Sequence, residues 1–360
     1  MTTSTTQEID MAKAGAFAGQ VIGHLNGAML SLMMSIGHKT GLYDKMAELP
    51  PSTSEQIAKA AGLNERYVRE WLGAMVTGRV VEYDPAKGTY YLPPEHAGAL
   101  TRAAGPNNMC ALAEFVPEFA AVQDGIVSSF QKGGGVPYSE FDNFQNLMGA
   151  LSAQVFDATL TGVTLPLAPG LIDRLKAGID VADLACGQGH AINLMAQAFP
   201  SSRFTGYDFS PEGVAAGRKE AEAMGLKNAT FEVEDIAKLD WKGQFDLITV
   251  FDAIHDQAKP RQVLKNIYNL LRPGGVFLCT DIAASSHLHE NLEHPLAPMM
   301  YSVSTMHCMT VSLALGGEGL GNMWGEQKAR ELFAEAGFTQ VDAKQVEGDI
   351  MNNYYIAAKA

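Results

Sequence analysis

A chain of 360 residues with 47% apolar and 18% charged side chains is too apolar to be disordered and long enough for two cores. Its net charge of -14, from 26 basic and 40 acidic residues, argues against a polyanion as the main partner, because nucleic-acid binding neutralises phosphates with Lys and Arg. Cys110, Cys186, Cys279 and Cys308 form no CxxC pair, which points to reduced thiols in a cytoplasmic protein.

Residues 1–20 read as a flexible leader. Met1–Asp10 is Thr-rich and lacks the basic start and apolar core of a signal peptide, and Ala28–Ile36 is too short to span a bilayer. From about Met11 to Met46 apolar residues recur at helical spacing, among them Val21, Leu25, Met29, Leu32, Met33 and Ile36. So apolar a helix needs a large partner, such as another subunit. Residues 21–100 are expected to form a winged helix. Ser52-Thr-Ser-Glu-Gln-Ile offers a cap and a helix ending at Gly62, a second helix starts after Asn64, and Val80–Tyr83 with Thr89–Leu92 make the wing. Between Lys39 and Arg102 there are eight basic and eight acidic residues, so a structural or dimerisation module outweighs a DNA reader.

Residues 101–170 read as a helical linker and substrate cover, broken by a Gly/Pro loop that carries Tyr138 and Phe141 as candidate substrate contacts. From 171 to 360 strands alternate with helices: Ile179–Leu184, Arg203–Asp208, Thr230–Val233, Phe245–Phe251, Gly275–Asp281, then two closing strands, one of them antiparallel. That order predicts an α/β fold with a doubly wound, Rossmann-like sheet behind an α-helical winged-helix domain. An insertion over 284–325 is the expected lid.

The first strand runs into Asp183-Leu-Ala185-Cys-Gly187-Gln-Gly189-His190, where glycines let backbone approach a ligand beside a helix N-terminus. Asp208 ends the second strand, 19 residues after Gly189, where an acid can accept both ribose hydroxyls. After the third strand comes Glu234-Asp235-Ile236, a carboxylate and amide suited to adenine. A dinucleotide fingerprint needs a third glycine, and that position is Asn193.

With these motifs the segment from Ile179 onward resembles the class I methyltransferase family. Asp183–Gly189 matches its first motif, with Ala185 where the family usually has Gly. Asp208, Asp235-Ile236, Phe251–Asp256 and Leu271-Arg-Pro-Gly-Gly275 match the later ones. The resemblance implies S-adenosyl-L-methionine as cofactor, bound by Asp183, Ala185, Gly187, Gly189, Asp208, Phe209, Asp235, Ile236 and Phe251. Over its whole length the chain is similar to winged-helix methyltransferases of small molecules, which implies a homodimer. Phe251–Gln257 and Met306–Leu313 look like segments of a subgroup that includes small-thiol S-methyltransferases acting on sulfide or methanethiol.

Methyl transfer needs a base only if the acceptor holds a proton at working pH, and a thiol needs less help than an alcohol. His255, flanked by Asp252 and Asp256, and His307 in the lid are the candidate bases, with Asp252 able to orient an imidazole. Tyr301, Met306 and Cys308 join Tyr138 and Phe141 as candidate substrate contacts. His287, His289 and His294 could supply nitrogen ligands, but methyl transfer to a thiol needs no metal, and none is expected. Gly316–Gly321 reads as a flexible connector. Two alternatives stay open: an O-methyltransferase of a hydroxylated metabolite, and a cofactor-sensing regulator binding DNA through Glu55–Leu72.

Overall fold

The structure, a computed structural model, describes residues 9–360. Residues 1–8 of the expected leader lie outside the described residues. From Met11 the chain is already helical, so the leader does not extend to residue 20: Asp10 accepts from the Ala12 and Lys13 amides and starts α1 (Met11–Lys39). The chain divides into two compact units at Pro117/Glu118.

In the first unit, α1 is followed by α2 (Leu42–Glu48), α3 (Ser54–Ala61), α4 (Glu65–Thr77), a small antiparallel hairpin of β1 (Glu82–Asp84) and β2 (Thr89–Tyr91), and α5 (Pro94–Leu100). Local chemistry sets the boundaries. Thr53 and Gln56 close a reciprocal capping box at the start of α3, Gly62 ends it at φ +66°, and Asn64 caps α4. Tyr43, Met46, Ile57, Val68, Leu72 and Met75 fill the core. The second half of α1 joins them through Gly37, where a Cβ would stand 2.6 Å from the Trp71 and Tyr43 rings. Its first half is exposed along Phe17, Val21, Ile22, Leu25 and Met29.

A short helix, α6 (Phe115–Ala121), spans the division. The second unit then has α7 (Gln123–Lys132) and α8 (Phe144–Thr159), followed by α9 (Leu171–Ala177) and a seven-stranded sheet. Its strands are β3 (Asp180–Leu184), β4 (Arg203–Asp208), β5 (Ala229–Val233), β6 (Phe245–Phe251), β7 (Leu271–Ile282), β8 (Val341–Lys344) and β9 (Asn352–Ala358), in spatial order β5-β4-β3-β6-β7-β9-β8. Only β9 runs against its neighbours. Consecutive residues face opposite sides: Val181, Leu247 and Leu278 meet one helical layer, Ala182, Ile248 and Phe277 the other. Burial on both faces explains the apolar runs read from the sequence. The direction of winding reverses between β3 and β6, which places a crevice beyond their carboxyl ends.

The helices α10 (His190–Ala198), α11 (Pro211–Ala223), α12 (Pro260–Leu270) and α15 (Gly325–Ala336) flank the sheet. The expected lid is ordered: α13 (Ala297–Val303), a π-helical turn over Ser304–Cys308, and α14 (Met309–Ala314). Nor is the Gly-rich run a loose connector, because Glu318 and Gly321 amides donate to Ala258 (3.1 Å) and His255 (3.0 Å) carbonyls.

Candidate active site

The crevice is a cleft of about 1600 Å³ built within the second unit, lined by the β3–α10 loop, the ends of β4, β5 and β6, and one side of α8. The loop is a tight cradle. Ala185, Gly187 and Gly189 all have positive φ, at 56°, 55° and 75°. Gly187 has open space where a Cβ would point, and Gly189 cannot carry one, since it would meet the Phe231 ring at 2.3 Å.

Three carboxylates stand where strands end. Asp183 is buried, accepts from the Thr249 hydroxyl at 2.7 Å, and is pushed up to about 7 by burial. Asp208 is fixed by two backbone donors, Gly187 N on Oδ2 (2.8 Å) and Ser210 N on Oδ1 (2.9 Å), and burial raises its pKa despite them. Asp235 lines the cleft while capping the Ile236–Lys238 turn through Ala237 N (3.0 Å). Ile236, Phe209 and Phe251 also line it, so every residue expected at the cofactor is gathered in this one cleft. Asn193, in place of a third glycine, donates to Gly217 O and Glu220 and so ties α10 to α11.

His255 lies just beyond β6, in the turn that starts at Asp252, whose φ is +55°. It is buried behind the lining residues Asp252 and Asp256 and does not itself line the cleft, and its oriented partner is not one of the flanking acids. Nδ1 donates to Asp281 Oδ1 at 2.8 Å, whereas Asp252 stands at 3.8 Å. Asp281, at the end of β7, is fully buried, and the same oxygen accepts from Ile282 N (2.8 Å) and Trp324 Nε1 (3.0 Å). Sequence reasoning missed this residue because register, not proximity in the chain, brings it to His255; an acid closing the next strand was the available signal. On its other side His255 meets the Cys308 thiol. Burial pulls the imidazole pKa down, but the Asp281 carboxylate more than reverses this and leaves it well above the ordinary value. Asp252 and Asp256 line the cleft and are pushed up by burial, to about 6 and about 7.

Other candidates are placed differently. His307 lies behind Phe144, stacked at 3.5 Å, with neither ring nitrogen hydrogen-bonded; burial and the nearby His255 lower its pKa to about 3. A ring so placed is too weakly basic to hold a proton at neutral pH and lies out of the cleft. Tyr138 lines the cleft, edge-on to Phe209 at 5.6 Å, but Phe141 is buried beside His307. Tyr301 and Met306 face a separate hollow with Ile126 and Phe130, and Cys308 is buried against His255, so these three do not line the cleft. His287 stacks on His289, while His294 Nδ1 accepts from Leu296 N. Among the described residues the metal-type donors that converge are instead Asp252, His255 and Asp281, within 4.8 Å of one another. Asp281 Oδ1 takes three hydrogen-bond donors there, while Asp281 Oδ2 and Asp252 Oδ1 have no hydrogen-bond partner.

Residues 175–337 match a family described as a methyltransferase domain, and residues 28–102 match the Rv2258c-like winged HTH domain. The chain is 24% identical over 193 residues to the demethylmenaquinone methyltransferase of Lactococcus lactis, a match covering 49% of this chain and 73% of that protein. With the enzyme of the same name from Thermus thermophilus it shares 32% over 100 residues, covering 28% and 46%. Among solved structures it resembles human N-acetylserotonin methyltransferase in complex with SAM, with TM-score 0.70, 18% identity, and coverage of 100% of this chain and 99% of that one. An O-methyltransferase family protein from Burkholderia thailandensis aligns with TM-score 0.64 and 15% identity over 98% and 99%. At such identities these likenesses establish the shared fold.

Proposed function

We propose that this chain, which joins a winged helix-turn-helix domain to a methyltransferase domain, is an S-adenosyl-L-methionine-dependent methyltransferase acting on a small molecule. The observation that carries this reading is the convergence of the glycine cradle and the strand-end acids Asp183, Asp208 and Asp235 on one cleft. Asp208, held by two amides, keeps lone pairs for the two ribose hydroxyls. Asp235 and Ile236 sit where adenine would be read, and the open side of Gly187 admits the amino-acid portion. When bound, the cofactor supplies an activated methyl carbon on a sulfonium. The chain's own task is to hold an acceptor in line with it, exclude water and take up a proton.

The His255–Asp281 pair supports a hydroxyl acceptor. An oriented imidazole matters most when the acceptor keeps its proton at neutral pH, as hydroxyls do and thiols do less. A protonated His255 cannot accept, so turnover should rise with pH through its elevated pKa. The thiol acceptor expected above keeps one support: Phe144, Met148, Phe251 and Val311 give the cleft a soft apolar wall suited to a small sulfur nucleophile. His255→Gln assayed with a panel of phenols and small thiols separates the two. Loss of about 10²- to 10⁴-fold in kcat with the hydroxyl acceptor is expected if His255 is the base. Volatile methylated sulfur formed at the wild-type rate by this variant would instead establish thiol chemistry, and no cofactor binding by the wild-type protein would sink both.

A second copy of the chain is the partner we infer, because the exposed apolar half of α1 needs cover. DNA finds no free basic face on α4, where Arg66 pairs with Glu70 and Arg69 with Glu65 at 3.3 Å. No single helix among the described residues is long and apolar enough to cross a membrane. The four cysteines are free thiols, which fits the reducing cytoplasm.

A further inference from the structure

His190 closes the cofactor loop and opens α10, and both its ring nitrogens face carboxylates. Nδ1 is 2.6 Å from Glu220 Oε1 on α11, and Nε2 is 3.0 Å from Asp157 Oδ1 on α8. Carboxylate oxygens only accept, so this geometry requires both nitrogens to donate, which only the imidazolium does. Glu220 is itself held by Asn193 Nδ2 at 2.7 Å, so the ring is anchored on the α11 side and offers its other face to α8.

Helix α8 is the element in need of an anchor. It lines the cleft with Gln145, Asn146, Met148, Gly149, Ser152 and Phe156, yet only Phe144 at its start is buried. Its apolar anchors are Phe144 and Phe156, the latter on Phe251 at 5.0 Å, and the rest of its cleft side is held by polar contacts. Polar contacts run from end to end: Ser210 Oγ to Gln145 (3.2 Å), Gln188 Nε2 to Asn146 (2.9 Å) and His190 to Asp157. Of these, His190–Asp157 is the charged one and sits at the far end of the helix. Gly149 lets the helix come down on the loop, since a Cβ there would meet the Gln188 side chain at 2.5 Å.

We propose that His190 is a cofactor-positioning residue: by gripping Asp157 from a ring anchored on Glu220, it keeps α8 down over the cofactor cleft. The proposal rests on the cofactor reading of that cleft. Because the grip needs an imidazolium, retention of the cofactor depends on pH. The charged groups facing the ring are Asp157 on α8 and Glu220 on α11. Burial lowers the His190 pKa, but the two carboxylates more than reverse it, so the net direction is upward. The grip is thus complete below the ordinary value of 6.5 and is lost as pH rises through the elevated one.

The test is binding of S-adenosylhomocysteine to the full chain from pH 6 to 9, by calorimetry and stopped-flow release, for wild type, Asp157→Asn and His190→Gln. Asp157 is exposed on the helix surface, so its variant leaves the core intact. We expect wild-type release to quicken with pH, and Asp157→Asn to release about three- to tenfold faster at pH 6 with a flattened profile, in line with a partly exposed charged contact. His190→Gln should show the same flattening. Parallel pH profiles for wild type and Asp157→Asn, or equal release rates, overturn the proposal. Wild-type protein that does not bind S-adenosylhomocysteine overturns the cofactor reading and this proposal with it.

Discussion

Asp208 shows how a single carboxylate can be both legible and precisely held. Its place 19 residues beyond Gly189 marked it in the sequence, and two amides now fix both its oxygens. Asp208→Asn keeps the shape and loses the charge-assisted acceptor, so cofactor Kd should rise by about 10- to 100-fold, measured by calorimetry, with the melting temperature little changed. Ala185 carries a different load. Its φ of 56° is one that L residues hold at a cost of about 1 kcal/mol. Ala185→Gly relieves that strain but loosens the unfolded chain, so urea denaturation should show stability within about 0.5 kcal/mol of wild type. Ala185→Val, β-branched at a positive φ, should lose about 2 kcal/mol. What the sequence hid at this scale was partnership. His255 could be picked out, but Asp281, 26 residues on, could not be matched to it before the sheet register was known.

Elements with local signals were read closely, and those settled by packing were not. The caps at Thr53 and Asn64, the stop at Gly62, and the strands Arg203–Asp208 and Phe245–Phe251 all stand where the sequence placed them. The insertion over 284–325 was foreseen, but its π-helical turn, which turns Cys308 toward His255 and leaves Tyr301 and Met306 facing another hollow, has no signature in residue spacing. Helix α1 invites a test of its own. Leu25→Glu places a charge in the exposed apolar half, and light scattering should show a smaller assembly than the wild type. At the opposite end of the sheet from the cleft, Arg272 bridges Asp180 (2.8 Å) and Asp246 (2.5 Å). These groups are partly exposed and screened, so Arg272→Met should cost only about 1 kcal/mol in denaturation and leave cofactor affinity unchanged.

Across the whole molecule, buried ionisable groups set how stability responds to pH. Burial lifts Asp183 to about 7, Asp252 to about 6 and Asp256 to about 7. Between the ordinary carboxylate value of 3.8 and these values the folded chain binds more protons than the unfolded one, so each group costs stability as pH rises through that window. His190 and His255, raised above 6.5, act in the same sense on the alkaline side. His307, lowered to about 3, acts oppositely: the unfolded chain takes its proton first, and stability falls as pH drops below 6.5. Melting temperature should therefore decline from about pH 6.5 to pH 8, and saturating cofactor, a cation beside the ionised acids, should flatten that decline. A steady rise from pH 6 to 8 in scanning calorimetry would contradict this assignment of charges.

The reversed strand β9 carries a last consequence, for synthesis. It lies between β7 and β8, yet among the strands of the sheet it is translated last. Until Asn352–Ala358 is available, β7 offers an unpaired apolar edge that includes Phe277 and Leu278, the kind of surface on which nascent chains pair with one another. The protein is thus most vulnerable to aggregation while this strand is still unmade, and chaperones that shield bare strand edges should matter most to it then.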